Sequence, residues 1–121
     1  MSTLRALRGA TSVQANDAEQ IEDATARLLA EMLERNGVEP GDLVSLIFTA
    51  TPDLDAAFPA AAARRLGLGD IPLLCAQEIP VPGSLPRCVR VLMHLYSERD
   101  YASLRHVYLG EARRLREDLP E

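Results

Sequence analysis

A charged residue interrupts the run Cys88-Val89-Arg90-Val91-Leu92-Met93, which is otherwise almost wholly apolar. Read with a period of two, Arg90, Leu92, His94 and Tyr96 fall on one face of a strand, and Val89, Val91, Met93 and Leu95 on the other. The second face is wholly apolar and belongs against a core. The first sets a guanidinium where burial is costly unless it is ion-paired or meets an anion. Periodicity leaves two readings open: a solvated or ion-paired face, or a site for a small carboxylate, whose oxygens match the planar fork of arginine. All 13 basic residues of the chain are arginines, and Arg8 and Arg64 stand in equally distinctive segments.

Punctuation around this strand predicts the remaining elements. Leu4 to Val13 reads as a strand, and Asn16 or Asp17 as the cap of a helix, with Glu19 completing a capping-box-like pattern from Asn16. Ile21, Ala24, Leu28, Leu29, Met32 and Leu33 make its apolar stripe, and Gly37 suits the position after it. Pro40-Gly41-Asp42 is a turn, and Leu43 to Ala50 is a strand apolar enough to be covered on both faces. Pro59 opens a short helix over 60–66 that stops at Gly67. Further strands are predicted over 71–77, 88–96 and 105–109, then a helical turn and tail. The order β-α-β-α-β-β-β gives an α+β fold, a small mixed sheet packed with two helices. At 121 residues the expectation is one domain, 1–121, with 113–121 a mobile tail.

Composition narrows the function. A net charge of −5 argues against a nucleic-acid partner, which needs a basic footprint. No apolar run approaches a membrane span or a signal-peptide core. The expectation is a cytoplasmic protein with reduced Cys75 and Cys88. These cysteines form no ligand pattern with His94 and His106, and no phosphate-binding loop or dinucleotide motif occurs, so neither metal nor cofactor is expected.

Few side chains remain for chemistry. Glu78 ends a strand, where it either accepts from a substrate hydroxyl, acts as a base, or is an ordinary surface carboxylate. Cys75 has no histidine to activate it, so cysteine catalysis is rejected. Tyr108 offers a phenol or merely caps a core. Arg113, Arg114 and Arg116 form a basic cluster that is solvated, or adds an anion contact if the tail folds over a pocket.

The segments Arg8-Gly9-Ala10-Thr11, Ala50-Thr51-Pro52-Asp53-Leu54, Phe58-Pro59-Ala60, Cys75-Ala76-Gln77-Glu78, Cys88-Val89-Arg90-Val91 and Arg105-His106-Val107-Tyr108-Leu109 occur in order over essentially the whole chain. Together they resemble the monofunctional chorismate mutases of the trimeric α/β-barrel type. The resemblance implies rearrangement of chorismate to prephenate on the route to phenylalanine and tyrosine. It implies no cofactor, and a homotrimeric pseudo-barrel with sites between subunits.

Carried over by position, Arg90 would meet the ether oxygen and a carboxylate, and Arg8 and Tyr108 the enolpyruvyl carboxylate. Glu78 and the backbone or thiol of Cys75 would meet the ring hydroxyl. Phe58, Ala60 and Arg64 would reach in from a neighbouring subunit, beside a wall of Leu73 and Leu74. Leu115 and Arg116 would close over the site. Some relatives have lysine where this chain has Ala61, so no charge carries over there. The competing reading is a trimeric carboxylate-binding or enamine deaminase-like protein, or a trimer without activity.

Overall fold

The computed structural model describes residues 2–116. Its elements run β1 (Thr3–Ser12), α1 (Ala18–Arg35), β2 (Leu43–Ala50), α2 (Ala60–Arg65), β3 (Leu73–Gln77), β4 (Cys88–Ser97) and β5 (Val107–Leu109). Short 3-10 turns span Pro40–Asp42 and Gly110–Arg116. The strands form one mixed sheet in the order β3-β2-β4-β1-β5. The central strand β4 runs antiparallel to both β1 and β2, while β3 and β5 join the edges in parallel.

The alternation predicted for β4 holds. Val89, Val91, Met93 and Leu95 are at most 3% exposed, whereas Arg90, Leu92 and His94 are half-buried. One face of the sheet therefore makes the core, and both helices lie on it. Leu28, Leu29 and Met32 of α1 and Ala62 and Ala63 of α2 share a cluster with Leu7, Phe48 and Met93 of the sheet. Gly9 permits this approach: a Cβ there would lie 2.5 Å from the sulfur of Met32. The cap of α1 is Asp17 rather than Asn16, because the Asp17 carboxylate accepts from Gln20 N at 3.0 Å. Asn16 instead grips a distant loop, donating to the Asp55 carboxylate at 2.7 Å and accepting from the N–H groups of Asp55 and Ala56.

Two expectations need correction. β2 is not covered on both faces within this chain: Leu46 and Phe48 are buried, but Val44 is exposed and Ile47 and Thr49 only half-buried. Its second face opens onto a cleft. β5 begins at Val107, not Arg105, because the backbone of Arg105 is taken by Asn36, whose amide accepts from its N–H at 2.7 Å and donates to its C=O at 2.9 Å. Residues 113–116 belong to the last 3-10 turn, and 117–121 lie outside the described residues.

Candidate active site

The face of the sheet away from the helices forms the floor of a cleft of about 400 Å³. Strand register builds it row by row. In one row, Ala10 pairs with Arg90 on one side and Tyr108 on the other, and Arg90 pairs with Thr49. In the next, Leu92 pairs with both Arg8 and Ile47. Since side chains in register point to one face, four strands deliver Arg8, Arg90, Tyr108 and Thr49 to one hollow. Ala10 between Arg90 and Tyr108 is small enough to leave room above it, and Leu115 of the final turn lines the edge.

Glu78 arrives from just beyond β3, where its N–H donates to the carbonyl of Ala50 at 2.9 Å. Its carboxylate oxygen Oε2 accepts from Thr49 Oγ1 at 2.7 Å and lies 3.0 Å from Arg90 Nε. The glutamate side chain is 16% exposed and the arginine 43%, so the pair sits at the wall of the cleft with the guanidinium reaching into it. Although the Nε–Oε2 distance is short, the buried Nε–H makes no hydrogen bond among the described residues. The contact is one of charge rather than of aligned donor and acceptor, and it leaves a donor unspent. A buried donor without a partner is rare in a folded protein and calls for a reason.

The neighbouring residues hold this arrangement. The backbone N–H of Arg8 donates to Nδ1 of His106 at 2.9 Å, which ties the start of the β5 segment to β1 beside the cleft. Thr51 Oγ1 accepts from Cys88 N at 3.0 Å, and the Asp53 carboxylate accepts from Arg87 N at 3.0 and 3.2 Å. Arg87 has φ of 48°, a left-handed conformation unusual for a residue with a side chain. The Thr51-Pro52-Asp53 segment thus fixes the turn that leads into β4. Burial pushes the Cys88 thiol up to about 11, against the pull of the Arg90 guanidinium, so it is neutral at ordinary pH.

The other expected residues lie elsewhere. Cys75 pairs with Phe48 and packs with the core cluster, as does Leu73, so the Cys75 thiol is on the face opposite Arg90. Leu74, paired with Ile47, is on the cleft side but 60% exposed. Ala60 is 4% exposed and packed in its own core, which removes its side chain from any contact with another copy. Phe58 and Arg64 are exposed, away from the rows that carry Arg90; Phe58 lines a second depression with Leu54, Ala57 and Pro59. The side chain of Arg116 lies outside those described.

Thr49 and His106 are contacts that the sequence did not announce. A threonine near the end of a largely apolar strand was the available signal for the first. The second joins residues 98 positions apart and had none.

A family model for chorismate mutase type I matches residues 4–119. The chain belongs to the type I chorismate mutases. It is 50% identical to chorismate mutase AroH of Thermus thermophilus over 117 residues, covering 96% of each chain. Against chorismate mutase AroH of Bacillus subtilis strain 168 it is 42% identical over 117 residues, covering 96% of this chain and 92% of that one. The solved chorismate mutase from Clostridium thermocellum superposes with a TM-score of 0.89 at 51% identity, over 90% of this chain and 97% of that one. A chorismate mutase needs no nucleophile, which agrees with Cys75 facing away from Arg90 and Cys88 being held as the neutral thiol. The deaminase-like reading finds no support among these matches.

Proposed function

We propose that the cleft on the open face of the sheet binds chorismate and carries its rearrangement to prephenate, in the supply of phenylalanine and tyrosine. The observation that carries this reading is the Arg90 Nε–H, buried without a hydrogen-bond partner among the described residues beside a carboxylate at the cleft wall. In the reaction the ether C–O bond breaks as a new C–C bond forms, and no atom enters or leaves. Catalysis then consists of holding a flexible dianion in its reactive conformer and stabilising the charge that separates.

Arg90 donates to the ether oxygen, where negative charge develops, and to a substrate carboxylate. Glu78 accepts from the ring hydroxyl and favours the positive charge growing on the ring, with the Cys75 backbone alongside. Arg8 and Tyr108 hold the enolpyruvyl carboxylate. Leu115 and Arg116 close the open edge.

The site is completed by a second copy in a homotrimer. Phe58 is 73% exposed, Leu74 60%, Ile79 82% and Val81 57%, an apolar margin along β3 and the segments near it that suits burial against another subunit. In that assembly Phe58 and Arg64 of one copy face the cleft of the next, while Leu73 and Ala60 support the wall from within. The chain works as one domain in the cytoplasm, a setting that suits its two unbridged cysteines.

The test is to follow loss of the enolpyruvyl absorbance of chorismate with the purified protein and to identify prephenate chemically, for the wild type and Arg90→Lys. Conversion by the wild type and a collapse of kcat in Arg90→Lys are expected. An Arg90→Lys enzyme with unchanged kcat would overturn the role given to Arg90.

A further inference from the structure

The hydroxyl of Thr49, a half-buried residue of the cleft lining, is bonded to the carboxylate at the cleft wall. Thr49 Oγ1 donates to Glu78 Oε2 at 2.7 Å, and the same oxygen lies 3.0 Å from Arg90 Nε. Thr49, on β2, is also the ladder partner of Arg90 on β4 and of Ala76 on β3, two residues before Glu78, so its strand lies between those that lead to the two charged residues. Its backbone is fixed on both sides by ladder hydrogen bonds, and a β-branched side chain on a strand has few rotamers to choose from. A hydroxyl so constrained is a rigid donor.

Glu78, by contrast, lies beyond the end of β3, with its backbone tied to the sheet through the bond to Ala50. Its side chain has three rotatable bonds and a strong attraction to the neighbouring guanidinium. With no other constraint the carboxylate would swing to form an aligned two-point pair with Arg90, the geometry such pairs prefer. That pairing would spend the Nε–H donor the reaction needs.

We infer that Thr49 is a positioning residue for the rearrangement: its hydroxyl pins Glu78 Oε2 so that the carboxylate faces the substrate through Oε1 and stays out of line with Arg90 Nε–H. The inference rests on the roles given above to Glu78 and Arg90, and it adds the group that keeps them from neutralising each other.

The experiment is steady-state kinetics with chorismate on Thr49→Val, Thr49→Ser, Glu78→Gln and the Thr49→Val/Glu78→Gln double variant of the full chain. Valine keeps the shape and strand preference of threonine, so the fold is retained and melting curves confirm it. Thr49→Val should lower kcat about tenfold to a hundredfold, the span of one hydrogen bond to a charged group, with KM little changed. Thr49→Ser, which keeps the hydroxyl, should restore most of that rate. On the Glu78→Gln background the valine substitution should cost little more, because the hydroxyl acts through Glu78.

A Thr49→Val enzyme at wild-type kcat beside an impaired Glu78→Gln overturns the inference and leaves the Glu78 role standing. So does a rise in KM alone, which would make Thr49 a binding contact. Should valine disturb folding, Thr49→Ser still decides: a serine enzyme as slow as Glu78→Gln contradicts a role for the hydroxyl. A Glu78→Gln enzyme with wild-type kinetics removes the reading of the cleft itself.

Discussion

The cleft floor and the segment over 54–66 hold half of the residues expected to meet substrate, yet they are built in opposite ways. On the floor, Arg8, Thr49, Arg90 and Tyr108 are set by strand register and aimed at one hollow, Thr49 and Arg90 with ladders on both sides, Arg8 and Tyr108 with a ladder on one. In the segment, the backbone is pinned from behind, by Asn16 holding Asp55 and Ala56 and by Ala60, Ala62 and Ala63 buried in the core. Its Phe58 and Arg64 are left pointing outward. The floor is complete within one chain; the segment is a rigid presentation of side chains to something else. Under the proposed trimer, the electrostatic half of the site is made by one chain's folding and the enclosing half by assembly.

The two regions should differ most at Arg90. Arg90→Ala should lower kcat by roughly a hundredfold to a thousandfold, the loss when a preorganised donor to developing charge is removed, and Arg90→Lys should fare little better because the fork is lost. Kinetics with chorismate check both. Arg64→Ala should act more mildly and mainly on KM, about tenfold, as expected of a contact made equally in ground and transition states. If Arg64→Ala instead abolished kcat, the enclosing half would be as catalytic as the floor.

Two smaller effects concern the frame alone. Asp53→Ala takes away the carboxylate that receives the Arg87 N–H and should cost about 1–3 kcal/mol of stability, read from denaturant unfolding. Arg87→Gly, which tolerates φ of 48° at no steric cost, should recover part of that loss in the double variant. The smallest effect is at Cys88. Its folded value of about 11 lies above the usual 9.0, so the thiol contributes stability in full below pH 9, and this is lost as pH rises through 11. Alkaline unfolding of Cys88→Ala should therefore be less steep over that range than that of the wild type.

How far each region was legible in the sequence follows from how it is held. The limits of β2, Leu43–Ala50, could be read because Pro40-Gly41-Asp42 and Thr51-Pro52-Asp53 punctuate it on both sides. The face of Arg90 could be read because period-two alternation is local. The start of β5 could not, since Asn36 captures Arg105 from 69 residues away. Nor could the face of Cys75, which is decided by pairing with Phe48 rather than by its own short, apolar neighbourhood. Thr49 was hidden for a related reason: within an apolar run its hydroxyl gains meaning only once β3 brings Glu78 alongside.

The most direct test of the division between floor and segment is subunit complementation. Arg90→Ala and Arg64→Ala proteins are prepared separately, dissociated, and reassembled together, with exchange confirmed by differently tagged copies. At subsaturating chorismate, where the KM defect of Arg64→Ala shows, the mixture should run well above the average of its two components, approaching about a quarter of full activity if copies mix at random, because some shared sites join an intact Arg90 to a neighbour's intact Arg64. A fully exchanged mixture no more active than the average of its components would contradict it, placing both arginines in the site of one chain.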